Sequence, residues 1–114
     1  MRVLVCGGRD FDDESAVVNY LFRIDDERPI TSIIHGGAHG ADALGGKTAQ
    51  LLQVPCHVFP ANWKRDGKAA GPLRNQRMID EGKPDLVVAF KGGRGTADMV
   101  RRAKLAGIEV EEVN

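Results

Sequence analysis

The stretch "DLVVAFKGGRGTADM" (Asp85–Met99) sets the fold. Val87 to Phe90 run apolar without a break, and past Lys91 come three glycines, Gly92, Gly93 and Gly95. Thr96 follows, then a pattern with Val100 and Ala103 at helical spacing. An unbroken apolar run is what a strand covered on both faces requires, as in the interior of a parallel sheet. The segment therefore reads as strand, glycine turn and helix. Thr96 is placed to cap the helix and Gly107 to stop it.

The same order recurs along the chain. "RVLVC" (Arg2–Cys6) reads as a buried strand, and Asp13 to Glu27 as a helix with Val17, Leu21 and Ile24 inward. "ITSIIH" (Ile30–His35) reads as a second strand. Ala41–Gln53 reads as a second helix with Leu44, Thr48, Leu51 and Leu52 on one face. "CHVFP" (Cys56–Pro60) is a short third strand, and Ala61–Gly71 a long polar loop. Pro72 suits a first helical position, so Leu73–Glu81 reads as a third helix closed by Gly82 and Pro84. "IEVEEV" ends as an alternating edge strand. Strands separated by helix-length segments run parallel through right-handed crossovers. The expected fold is α/β: a three-layer Rossmann-like sandwich of about five parallel strands in the order 3-2-1-4-5, one domain over residues 1–114.

In that order strands one and four are neighbours, and the switch point lies between them. The loops after strands one, two and four are "GGRDF", "HGGAHGAD" and "KGGRGTAD", all at one sheet edge. Glycine lets backbone approach a ligand closely, and a helix starting just beyond offers unpaired N–H groups and a positive dipole end. This pattern suits phosphate. It nominates Gly7, Gly8 and Arg9 from the first loop, Gly36, Gly37, His39 and Asp42 from the second, and Gly92, Gly93, Arg94, Gly95 and Thr96 from the third. Three such loops at one edge go beyond what tight turns alone would need.

Two familiar motifs do not fit. "CGGRDF" lacks the G-x-G-x-x-G spacing, and Gly93-Arg94-Gly95 gives only half of it on the wrong strand. "GADALGGKT" has alanine at position 41, where a P-loop needs glycine, and Lys47 and Thr48 fall in mid-helix. His35 and His39 find no third ligand at a zinc-like spacing, so no metal is expected. The loop "ANWKRDGKAAGPLRNQ" carries the only tryptophan, Trp63, which can stack on a base or pack at an interface. Lys64, Arg65, Lys68, Arg74 and Arg77 lie around it. Arg74 and Arg77 lie three apart, so one facing a pocket and one in a surface pair is the expected split.

Composition narrows the classes. The formal net charge is +0 and aromatics make up 5%, which argues against a stacking platform for single-stranded nucleic acid. With 42% hydrophobic residues the chain needs no staple, and Cys6 and Cys56 read as buried free thiols of a reducing cytoplasm. The first apolar run is too short for a signal segment, and no stretch approaches the ~20 apolar residues of a membrane helix.

"CGGRDF", "HGGAHGAD", "W…GPLRN..M" and "DLVVAFKGGRGTADM", in this order over nearly the whole chain, resemble the SLOG superfamily, and within it the YspA/YpsA-related branch of small stand-alone domains. The superfamily includes the "lonely guy" cytokinin-activating enzymes and the DNA-processing DprA proteins. The resemblance implies a Rossmann-like fold whose glycine loops bind nucleotides or nucleotide-derived ligands. The enzymatic branch cleaves an N-glycosidic bond with P-G-G-x-G-T-x-x-E and an upstream arginine. Gly92, Gly93, Gly95 and Thr96 match the phosphate loop, and Arg74, beside Asn75, matches the arginine. Lys91 replaces the proline and Met99 the glutamate, with Asp98 one residue early. A shift of one residue turns a helical side chain by roughly 100°. The carboxylates left for chemistry are Asp10, Asp98 and Asp42. Two readings follow: a sensor or carrier for an AMP-, ADP-ribose- or NAD-like ligand, or a hydrolase of its glycosidic or phosphate bond. Binding of single-stranded nucleic acid is a lesser third. No separate cofactor is expected, and a homodimer, or an oligomer built from dimers, with the third helix and the tryptophan loop near its interface is.

Overall fold

A computed structural model describes residues 1–114. In chain order it forms β1 (Arg2–Cys6), α1 (Glu14–Glu27), β2 (Ser32–His35), α2 (Ala41–Leu52), β3 (Cys56–Val58), α3 (Trp63–Asp66), a 3-10 turn (Gly67–Ala69), α4 (Ala70–Asp80), β4 (Leu86–Ala89), α5 (Arg94–Leu105) and β5 (Glu109–Glu112). The five strands are all parallel, in the order β3-β2-β1-β4-β5. Leu4 lies between Ile34 of β2 and Val87 of β4, which fixes the register of the central strands.

Side chains of a strand alternate between faces. Val3, Val5, Ile33, Leu86 and Val88 point to one side, where α1 delivers Val17, Leu21 and Ile24 and α2 delivers Ala41 and Ala49. Leu4, Cys6, Ile34, Val87 and Ala89 point to the other, where α4 and α5 bring Met78, Ile79, Met99, Val100 and Ala103. Two cores on one sheet make the three layers. Phe90 seals the first core at the end of β4, its ring 5.3 Å from Phe11 and 6.0 Å from Tyr20. Truncating a fully buried residue such as Leu21 to alanine would cost about 2–5 kcal/mol.

Local chemistry sets the helix ends. Asp13 caps α1 by accepting the Ala16 N–H at 3.0 Å. At the end of α5, Gly107 takes φ +76, and the N–H groups of Gly107 and Ile108 return to Lys104 and Ala103. That is the left-handed stop expected of a glycine there.

Four local expectations need correction. Ala61–Gly71 is not a loop: it holds α3, whose four residues are too few to show periodicity, then the 3-10 turn and the start of α4. Pro72 lies in the first turn of α4 rather than at its first position, where its missing N–H is equally harmless. Leu51 is 53% exposed, because α2 seats its small residues on the sheet. A Cβ at Gly45 would stand 2.9 Å from that of Val5, and Leu51 lies a third of a turn away from this face. Cys56 is exposed on the edge strand β3, while Cys6 is buried.

Candidate functional site

The loops after β1 and β4 touch back to back. Gly8 donates its N–H to the Lys91 carbonyl at 2.9 Å, and its own carbonyl accepts from Phe11 and from Ala41, the first residue of α2. A Cβ on Gly8 would stand 3.0 Å from the Lys91 oxygen and 3.2 Å from the Gly92 Cα, so a larger residue would have to push the seam apart. Beside it opens a cleft of about 710 Å³. Gly7, Gly8 and Arg9 line it from the first loop, Gly36, Gly37 and Asp42 from the second, and Gly93, Arg94, Gly95, Thr96 and Asp98 from the fourth. Trp63, Arg74 and Asn75 close the side.

Three nominated residues lie outside. Asp10 and His39 are exposed and line no part of the cleft, and neither does Gly92, which packs against Gly8 and the Thr96 hydroxyl. Cys6, Pro60, Met78 and Met99 line it without having been nominated. Cys6 was the findable one, as the last residue of the central strand at the switch point.

One wall of the cleft is built for an anion. Helix α5 begins at Arg94 with Gly93 as its N-cap and no side-chain cap. Thr96 therefore sits in the first turn and does not cap, contrary to the sequence expectation. The N–H groups of Arg94, Gly95 and Thr96 donate no hydrogen bond within the protein. A Cβ on Gly93 or Gly95 would meet nothing within 4 Å. Four cations line the same cleft, Arg9, Lys68, Arg74 and Arg94, and none has a carboxylate partner. Arg65 and Arg77, nearby in sequence, are paired outward with Asp66 and Glu81. In a chain of net charge +0, this concentrates uncompensated positive charge in one place.

Arg74 is held rigidly. Its Nη1 donates to the Gly36 carbonyl at 2.5 Å and its Nε to Asn75 Oδ1 at 3.0 Å. Gly36 leaves room for the guanidinium, since a side chain there would overlap it. Burial pushes the Arg74 pKa down from its usual value. Asn75 in turn donates to the Gly95 carbonyl and to Asp98. Asp98 is saturated by Asn75, Arg101 and Arg102. Burial raises its pKa, but the hydrogen bonds from Asn75 and Arg102 and the two cationic charges outweigh that and hold it low.

Asp42 lines the cleft from the start of α2, and His35, which does not line it, lies close enough to act on its charge. Asp42 is 6% exposed, and its Oδ2 accepts the N–H groups of Gly36 at 3.1 Å and Ala38 at 3.2 Å. Burial raises its pKa, and those N–H groups, with His35 and Arg74, offset part of the rise. His35 Nδ1 accepts the Gly37 N–H at 3.0 Å, so the neutral ring carries its proton on Nε2. Burial lowers the His35 pKa. Burial and the nearby Asp42 charge push the Cys6 thiol up to about 12.

The sequence model of the YspA, cpYpsA-related SLOG family matches residues 1–65. The chain belongs to that SLOG family. It is also similar to the Gene 61 protein of Mycobacterium phage D29, 38% identical over 117 residues, which cover 96% of this chain and 93% of that protein. The family match includes the loops after β1 and β2 and stops within α3, before Arg74 and α5.

Within the SLOG family, the departures at the phosphate loop now have a geometry. Met99 stands where the enzymatic branch's motif has glutamate, and it is 1% exposed in the core under α5. Asp98, one residue earlier, is turned to Asn75 and Arg102. No three His, Cys, Asp or Glu side chains converge as metal ligands, and no helix is long and apolar enough to cross a membrane.

Proposed function

We propose that this protein binds a nucleotide or nucleotide-derived ligand in the β1/β4 cleft, as a sensor or carrier in the cytoplasm. The observation that carries the reading is the uncapped N-terminus of α5 facing the same cleft as four unpaired cations. Phosphate oxygens would take the free N–H groups of Gly95 and Thr96 and the favourable end of the helix dipole. Arg74, preorganised by Gly36 and Asn75, would add a planar fork of donors. Trp63, 56% exposed on the rim, offers a ring face to a base. Binding is favoured over hydrolysis because Asp98, the carboxylate nearest the missing glutamate, already accepts from three protein donors and has its pKa held low. Such a carboxylate is a poor general base.

Gly95→Val tests the anion wall. The new side chain would enter open cleft rather than protein, so the fold is expected to survive. Thermal shift with AMP, ADP and ADP-ribose should show stabilisation of the native protein and none of the variant. Equal stabilisation of both would remove α5 from the site.

A further inference from the structure

Asp42 brings into the cleft a carboxylate that no ion pair satisfies, the Arg74 charge acting on it only from a distance. The residue is 6% exposed, and one oxygen, Oδ2, is occupied by the N–H groups of Gly36 and Ala38. The other, Oδ1, accepts nothing from the protein, and it is not sealed in, since Ser32 Oγ alone is buried without a partner. Arg74 shares the cleft, but the two donors it uses, Nε and Nη1, go to Asn75 and Gly36, and no ion pair joins it to Asp42. Asp98 makes the contrast: two arginines and an amide satisfy it. A buried charge without a partner is costly, so the free oxygen of Asp42 calls for a donor from whatever fills the cleft.

The geometry also selects the donor. A guanidinium, or the edge of guanine, engages a carboxylate through both oxygens at once. Asp42 has only one to offer. A single oxygen can still accept from one hydroxyl, or from two neighbouring ones, in short charge-assisted bonds. We infer that Asp42 Oδ1 reads the ribose hydroxyls of the ligand, so that the site takes ribonucleotides in preference to their deoxy counterparts. This rests on the reading of the cleft as a nucleotide site. Phosphate lies towards α5 and the sugar towards the start of α2, with Arg74 between the loops that carry them.

Titration calorimetry of the native protein with AMP, 2′-deoxyAMP and 3′-deoxyAMP tests the inference. Ribose 5-phosphate and 2-deoxyribose 5-phosphate form a second pair that does not depend on the base. The ribose form should bind about 10- to 100-fold more tightly than the weaker deoxy form, the range for losing a hydrogen bond to a charged group. In Asp42→Asn the amide oxygen can keep the Gly36 and Ala38 contacts, and the ratio should fall to within about threefold. Equal affinity for ribose and deoxy probes in the native protein overturns the inference, whether or not the variant folds. So does a ratio that survives in the variant while all affinities drop together, as a purely structural role for Asp42 would give. If no probe of either pair binds, the nucleotide reading itself falls and takes this inference with it.

Discussion

Asn75 and Asp98 are joined by a 3.0 Å hydrogen bond that ties α4 to α5 across the side of the cleft. Asn75 also holds Arg74, so the position of that cation depends on a carboxylate whose own hydrogen bonds go to protein donors. Asp98→Asn should therefore cost about 1–3 kcal/mol of stability, in the range for hydrogen bonds to charged groups. Its folded pKa is depressed, so the contribution is full above the unfolded value near 4 and is lost as pH falls through the folded value. Denaturant curves of native protein and variant should differ at pH 7 and converge in acid. Curves that coincide at pH 7 would mean that the clamp contributes nothing.

Asp42 should behave in the opposite sense. Its folded pKa is raised by burial, so the ionised form penalises the ligand-free fold above the unfolded value near 4. Lowering the pH through the raised folded value removes that penalty. Asp42→Asn should accordingly raise the melting temperature of the ligand-free protein by a few degrees at pH 7, on the order of 1 kcal/mol. The gain should vanish near pH 4. A variant less stable than the native protein at pH 7 would show that the carboxylate is already compensated.

The two thiols should differ sharply in reactivity. Cys6 is buried and its thiol pushed up to about 12, while Cys56 is exposed on β3. A disulfide reagent at neutral pH should titrate one thiol in the native protein and the second only in denaturant. Fast modification of Cys6 would mean that the cleft floor opens to solvent.

A homodimer is the remaining expectation from the sequence. Trp63 and Leu73 stand 56% and 48% exposed on α3 and α4, beside the open cleft. A second copy covering them would shield both the apolar surface and the ligand. Light scattering at micromolar concentration should give twice the 12.4 kDa of the chain, and Leu73→Glu should return the monomer. A native monomer at that concentration would refute it.

The sheet was legible because its three central strands are apolar runs bounded by glycine, proline or charge. β1 matches its expected Arg2–Cys6 to the residue, and the observed order 3-2-1-4-5 is the one expected of a doubly wound sheet. The placement of glycine loops at one edge was legible for the same reason. Which way each loop side chain points was not. Asp10 and Asp42 are both loop-edge aspartates, yet one is exposed outside the cleft and the other is buried in its wall. That difference comes from Asp42 belonging to α2, turned inward to meet the Gly36 and Ala38 N–H groups, a contact set by three-dimensional packing. Thr96 misled for a related reason: glycine served as N-cap in place of a side chain, and its absence of capping is what leaves the α5 N–H groups free.

The seam between Gly8 and Lys91 joins backbone from opposite ends of the chain, and this fixes when the site can come into being. During synthesis β1 emerges first, while β4 and the α5 N-terminus follow some eighty residues later, roughly three-quarters of the way along. Until then β1 has no neighbour on that side and no anion wall exists. A ligand that needs both banks of the seam can stabilise only a chain that already carries β4 and the start of α5. Occupancy of the cleft would thus report that β4 has joined β1, and fragments stopping short of β4 would remain invisible to it.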